Sequence, residues 1–286
     1  MRVSRFLLVV AGMIGVQACT ADSTGHPTTF TNPPLAYIRY INAVSDTFNM
    51  DFRAIDQVEF SQPFLNVAYR GLGDGNFQGW QAGSRHIRVF PNMNITTSGV
   101  AVDPLVVSQV LIDTTFSFTA GQYYTIIHTG QYRAGGVKAK LWIINDAQPA
   151  QGSGIAVRVL HAGANQPNVD VWVTDGAAAL AGAATISNMS FGTAQAYQAR
   201  ALGATNVKLT NVGDATTAVG SASGYTMGAG TVGSTLADPL GGSGVAGTIA
   251  TAFIFGPSVT GSKAAAAATA SVVWFMDKQP PRTTSP

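Results

Sequence analysis

Charge is scarce in this chain. Asp, Glu, Lys and Arg make up 10% of its 286 residues, against roughly a quarter in an average soluble protein. Glu59 is the one glutamate, and five of the basic residues are lysines. This shortage of long charged helix formers argues against an α-rich fold. Cysteine is almost absent: Cys19 stands alone, so no intrachain disulfide can form. A surplus of charge is missing too. The net charge of +2 rests on Arg2 and Arg5; without them 14 of the 16 basic residues balance 14 acidic ones. Balanced, dispersed charge leaves no electrostatic footprint for nucleic acid. Disorder does not explain the low charge, because 46% of the residues are hydrophobic, enough for packed cores. Thr, Ser, Asn, Gln and Gly must then cover much of the surface, which suits β-proteins of the cell envelope. The length suggests two domains at ~100–200 residues each, large enough to fold on apolar cores alone.

The N-terminal end reads as a removable export signal. Met1 to Arg5 is short and basic, and Phe6 to Val16 is apolar. That run falls short of the ~20 residues a bilayer span needs and fits a signal-peptide core. It ends in Val16-Gln17-Ala18-Cys19, a lipobox-like run of branched residue, any residue, small residue and Cys. Such a signature predicts lipidation of the Cys19 thiol and cleavage before it. An ordinary secretory signal with a chance cysteine is the other reading. Thr20 follows Cys19, and the lack of Asp there resembles sorting to the outer membrane in an organism that has one. Residues 19–34, rich in Thr, Ser, Pro and Gly, read as a flexible tether.

Beyond residue 34 the sequence repeats. Arg39-Tyr40-Ile41-Asn42-Ala43, with Asp51-Phe52 eight residues later, matches Arg158-Val159-Leu160-His161-Ala162 and Asp170-Val171 at a shift of about 119 residues. Asn49 and Asn168 align as well. Gly83 to Val89 parallels Gly203 to Leu209, and Leu141-Trp142-Ile143 parallels Val273-Trp274-Phe275. Each Trp precedes a Gln-Pro pair, Gln148-Pro149 and Gln279-Pro280. These landmarks indicate two copies of one domain, 35–147 and 155–278, joined by a Pro- and Gly-bearing linker at 148–154 and followed by a tail, 279–286.

Within each copy the period is two. Phe48, Met50 and Phe52 alternate with Asn49, Asp51 and Arg53; Val169, Val171 and Val173 alternate with Asp170, Trp172 and Thr174. That is the pattern of strands buried on one face. The expected fold is all-β: two tandem antiparallel β-sandwiches, immunoglobulin-like in kind. Gly121 marks a hairpin turn between Phe116-Phe118 and Tyr123-His128. Ala264 to Ala268 has helix propensity, but the repeat places a loop or one turn there. Arg39 with Asp51, and Arg158 with Asp170, are expected to face each other across adjacent antiparallel strands.

At these landmarks the chain resembles the bacterial domain-of-unknown-function family 4397. Arg158-x-x-His161-Ala162 followed by Pro167-x-Val169-Asp170-Val171 is similar to that family's opening motif, and Thr119-Ala120-Gly121-Gln122-Tyr123-Tyr124-Thr125 is similar to its later A-G-x-x-Y-T element. The second copy departs at Gly163-Ala164-Asn165, and the first has Asn42 where the motif has His. The resemblance implies a β-sandwich envelope domain, often lipid-anchored, and transfers no catalytic residue.

Chemistry-bearing patterns are thin. The four histidines, 26, 86, 128 and 161, show no ligand spacing, so no metal or other cofactor is expected. His161 reads as a ligand-binding candidate or as a side chain capping a turn. Gly228-Ala229-Gly230-Thr231-Val232-Gly233 spells G-x-G-x-x-G, but Pro239 and Gly241-Gly242 follow where a helix is required. Asp74-Gly75-Asn76 reads as a turn. Trp142 and Trp274 read as core. Trp172, outward in phase and opposite Arg53 in the repeat, reads as a stacking platform for a sugar or peptide, or as a ring buried against a loop or the other domain. The functional expectation is a lipid-anchored envelope protein with a non-catalytic structural or ligand-binding role, its partners the membrane and a glycan or envelope protein. The other class is an envelope hydrolase with a site assembled from sequence-distant residues.

Overall fold

Alternating apolar residues and Gly, Asn and Pro turns produce strands throughout. The computed structural model describes residues 32–57, 63–73, 76–92, 109–133, 135–176, 178–220, 223–225, 241–260 and 266–281. Cys19, the segment before it, Asp74-Gly75, and Gly228 to Gly233 lie outside the described residues. Among the described residues the fold is all-β, with no helix; Ala266 to Ala268 are irregular. The first half holds β1 (Leu35–Val44), β2 (Asn49–Ala54), β3 (Gly71–Leu72), β4 (Gln78–Gln81), β5 (Gly83–Asn92), β6 (Ile112–Phe118), β7 (Tyr123–Gly130) and β8 (Lys140–Asn145). The second holds β9 (Ile155–His161), β10 (Val169–Asp175), β11 (Ile186–Met189), β12 (Gln198–Arg200), β13 (Thr205–Asn211), β14 (Ser223–Tyr225), β15 (Ile249–Phe255) and β16 (Ser271–Lys278).

These strands form four sheets. One orders β3-β1-β7-β8, with β4 also on β1; its counterpart orders β12-β9-β15-β16. The other two order β2-β5-β6 and β11-β10-β13-β14. The expectation of purely antiparallel sheets is corrected here. β1 runs parallel to β7 over Tyr37–Val44, and β9 runs parallel to β15. Parallel strands are covered on both faces and read as continuous apolar runs. Ile126-Ile127 and Ala252-Phe253-Ile254-Phe255 are such runs, and all are buried.

Three apolar clusters account for this burial. The first joins β1 and β7 to β2 and β5 through Ile38, Tyr40, Phe52, Ile87, Val89 and Ile126. The second joins β9 and β15 to β10 and β13 through Val159, Val169, Val171, Val207, Leu209 and Ile254. The third lies between the two mixed sheets. There Ile41, Ala43 and Ile127 meet Leu160, Ala162, Phe253 and Phe255. The described residues from Pro34 onward accordingly form one compact unit. The 148–154 connection is pinned to it: Gln151 Nε2 donates to the Gly247 carbonyl at 2.7 Å, and the Gly247 N–H donates to the Gly154 carbonyl at 2.8 Å.

Three expectations about pairing change. Gly121 does adopt a left-handed turn, φ 76°, but β6 pairs with β5 and β7 pairs with β1, so this turn passes the chain between sheets. Arg39 and Asp51 sit in different sheets, as do Arg158 and Asp170. Each Asp instead fastens a neighbouring turn. The Asp51 carboxylate accepts the Asn66 N–H at 2.8 Å, and Asp170 accepts the N–H groups of Asn188 at 2.7 Å and Gly213 at 2.8 Å. Asn66 and Asn188 both have left-handed φ, 54° and 50°, a conformation Asn tolerates better than most residues. Hydrogen bonds from Asn188 and then Gly213 hold the Asp170 carboxyl below its usual range. Finally, Trp142 is not matched by Trp274. Trp142 pairs with Ile127, whereas Val273 pairs with the corresponding Phe253. Trp142 therefore packs on the third cluster and Trp274 on the second.

Phe253 has no exposure at the centre of the third cluster. Phe253→Ala should lower unfolding free energy by about 3–5 kcal/mol, read as the urea midpoint at unchanged slope. A shift below about 1 kcal/mol would mean that the contact between the mixed sheets contributes little.

Candidate functional site

His161 and Trp172, nominated from sequence, are both buried. His161, at the end of β9, has no exposure; its Nε2 lies 3.4 Å from the Pro167 carbonyl, and Phe191 meets the ring edge-on. Burial lowers its pKa. Its counterpart Asn42 is equally enclosed: Nδ2 donates to the Val67 carbonyl at 2.9 Å, and Oδ1 accepts the Val44 N–H at 3.1 Å. Both side chains thus serve neighbouring backbone. Trp172, expected in water, is 4% exposed, with Nε1 donating to Thr210 Oγ1 at 3.1 Å. Opposite it on β13, Lys208 reaches the Ala178 carbonyl, which brings the stretch after β10 over this face. No residue of the sheet carrying Trp172 belongs to the third cluster. Cys19 lies outside the described residues.

The structure gathers a different set of polar groups. In phase with Ile41 and Leu160, Arg39 and Arg158 point from the central strands into the seam between the mixed sheets. Arg39 Nη2 meets Asp277 Oδ1 at 2.5 Å, and Arg158 Nη2 meets Asp146 Oδ1. Each arginine therefore pairs with the carboxylate at the end of the other half's last strand. Each Nε donates to a threonine on the strand beside it: Arg39 to Thr125 and Arg158 to Thr251, both at 2.8 Å. Each threonine hydroxyl donates onward, Thr125 to Asp146 and Thr251 to Asp277. An aromatic ring lies against each guanidinium, Phe77 at 4.6 Å from Arg39 and Tyr197 at 4.5 Å from Arg158. The set has approximate two-fold symmetry, departing from it at Tyr197, whose hydroxyl donates to Asp277 at 2.7 Å, and at Arg39, whose Nη1 donates to the Met276 carbonyl at 3.3 Å and whose Nη2 lies 3.9 Å from Asp146 Oδ2.

Electrostatics fits this closure. Burial works against the charge on Arg158, yet Asp146 and Asp277 beside it hold its pKa above the usual value. Burial, then the Asp277 charge, pushes the Tyr197 hydroxyl upward, so it stays a donor. A second buried chain lies in the first half. His128 Nδ1 meets the Tyr40 hydroxyl and Nε2 the Tyr132 hydroxyl, each at 2.9 Å. Burial lowers the His128 pKa from 6.5 to about 3, so the ring is neutral.

Tyr197 also forms part of a cavity wall. A concavity of about 690 Å³ lies between the 149–154 connection, the strand starts at Ile155 and Ile249, and the segment from Tyr197 to Leu202. Arg200 lines it. Its Nη2 meets Asp175, whose side chain is 91% exposed, and its buried Nε has no hydrogen-bond partner.

Asp146 and Asp277 escape notice in the sequence, although a signal is present. Asp146-Ala147-Gln148-Pro149 and Asp277-Lys278-Gln279-Pro280 share the pattern D-x-Q-P. Reading back from Gln-Pro, the tryptophans differ by one position, which is the offset that separates their faces. Residues 36–172 match the family described as Domain of unknown function (DUF4397). The match covers the first half and continues through β9 into β10. No curated protein matches the chain.

Removing one member of a buried pair strands the other. Arg39→Met should cost about 3–5 kcal/mol, and Arg39→Met with Asp277→Leu distinctly less than the sum of the single changes. Additive losses in a double-mutant cycle would show that the two side chains do not interact. His128 adds an acid-sensitive element. Its folded pKa lies below its unfolded value, so its share of stability is complete above about pH 6.5 and drains as pH falls toward 3. Between about pH 6.5 and pH 4.5 the native protein should lose about 2–3 kcal/mol more than a His128→Asn variant, measured by urea unfolding. Equal losses would mean that the ring takes up its proton without unfolding.

Proposed function

We propose that this chain is a lipid-anchored protein of the bacterial cell envelope whose two tandem copies of one immunoglobulin-like β-sandwich act as a non-catalytic structural and ligand-binding unit. The two copies share one strand pattern: β1, β2, β5 and β7 pair as β9, β10, β13 and β15 do. The family match over residues 36–172 supports the same reading of the first copy.

The observation that carries the non-catalytic role is where the strongly shifted groups point. Burial and partners perturb Arg158, Tyr197, His128 and Tyr132. Such groups mark active sites when they line a cleft. Here the guanidinium of Arg158 and the ring of His128 are each committed to partners that tie strand to strand; Tyr197 lines the cavity, but its hydroxyl is committed to Asp277. Anchoring rests on Val16-Gln17-Ala18-Cys19 and on the Thr-, Ser- and Pro-rich stretch that separates it from β1. A tether of that length reaches roughly 20–25 Å as a random coil, enough to hold a folded unit clear of a bilayer. Outer-membrane placement, in an organism with two membranes, follows from Thr20 after the cysteine.

Cys19→Ala should move the protein from the membrane fraction to the soluble fraction without changing its melting temperature. Sedimentation of that variant with salt-washed membranes would refute the lipid anchor.

A further inference from the structure

We infer that the cavity beside the 149–154 connection is a binding site for a small amphipathic anion: a molecule with an apolar or aromatic body and one carboxylate, sulfonate or phosphate. The inference rests on the proposed ligand-binding role and is independent of the lipid anchor. About 690 Å³ falls within the range of small-molecule sites, roughly 300–1,000 Å³. The body of the site is apolar: Pro149, Ile155, Leu202 and Ile249 line it together with alanines and glycine backbone. Leu202 is 48% exposed at this wall, a large side chain left in water beside a concave apolar surface.

Charge selects the ligand. Among the described residues the wall contains one cation, Arg200, and no carboxylate. The guanidinium is incompletely satisfied. Its acidic neighbour Asp175 is almost fully solvated, where such pairs are weak and screened. Its Nε is buried without an acceptor. A buried donor left unpaired costs free energy that an incoming oxygen anion would recover, and arginine presents donors in a planar fork suited to such groups. Tyr197 gives the site a second property. Tyr197 lines the cavity, and its hydroxyl donates to Asp277, the carboxylate that pairs with Arg39. A ligand seated here therefore touches Tyr197, one residue away from the crossed ion pairs.

Anilinonaphthalene sulfonate is a suitable probe, with phenylnaphthylamine, of similar shape and no charge, as its neutral control. The full-length protein should bind the sulfonate at one saturable site, seen as fluorescence enhancement. Arg200→Gln should weaken that binding about tenfold or more at unchanged melting temperature, and Arg200→Lys less. The neutral probe should bind the native protein more weakly and be indifferent to Arg200. Gly152 lines the cavity, and a side chain there meets open space, so Gly152→Trp should fill the site and abolish binding while the fold persists. Absence of saturable binding, equal affinity for the two probes, or sulfonate binding that survives Arg200→Gln or Gly152→Trp would each overturn the proposal. Loss of probe binding with Cys19-dependent fractionation intact refutes the cavity alone; the converse result refutes the anchor alone.

Discussion

Two arginines buried in the seam between the mixed sheets constrain everything else. A guanidinium taken out of water costs several kcal/mol unless charge and hydrogen bonds replace its hydration. Arg39 and Arg158 obtain both from across the seam and from the strand beside them: Asp277 with Thr125, and Asp146 with Thr251. That demand fixes which strands lie side by side. The threonine must sit on a strand next to the arginine, which the parallel pairs β1–β7 and β9–β15 provide in register, Arg39 against Thr125 and Arg158 against Thr251. It also fixes how the halves meet. Sliding one mixed sheet along the other would part both pairs at once, whereas an apolar seam alone tolerates displacement. Whatever the pairs add to stability, they add definition.

Much of the fold is legible where one face of a strand is buried and the other is not. β5 alternates cleanly from Ile87 to Asn92, and the shared spacing of Arg39 and Arg158 to the Asp-Phe and Asp-Val pairs falls on strands that pair alike, β1 with β7 as β9 with β15, and β2 with β5 as β10 with β13. The mixed sheets are harder to read. Strands covered on both faces lose the period of two, and nothing local in Ile126-Ile127 or Ala252 to Phe255 states whether the neighbouring strand runs parallel or antiparallel. Arginine in an outward phase reads as solvent-facing because the third layer of packing does not appear in a single strand's pattern. The same blindness makes Trp172 look exposed: alternation tells which face a side chain takes, and what covers that face comes from elsewhere in the chain. The cavity is invisible in the sequence for a related reason, since the 149–154 connection, β12 and the start of β15 meet only after folding.

Corresponding positions in the two halves differ where the demands on them differ. Along the seam, Arg, Thr and Asp recur unchanged. Away from it, Asn42 corresponds to His161 and Arg53 to Trp172, each bonded to different neighbours. Phe77 and Tyr197 lie between these cases. Each stacks on its arginine, but one oxygen on Tyr197 gives Asp277 an extra donor and puts a polar group beside the cavity. The seam is thus nearly symmetric in its charges and asymmetric in its access to a ligand.

The position of β1 has a mechanical consequence. It is the first strand, yet it lies inside its sheet, with β7 on one side over eight registered residues and β3 and β4 on the other. Tension applied at residue 34 along the strand axis loads those hydrogen bonds together, in shear, instead of opening them one at a time as a peeled edge strand would. The side chain of Arg39, locked to Asp277, adds a cross-link between this strand and the far half. A pull on the N-terminal end is spread from its first few residues across both halves of the molecule.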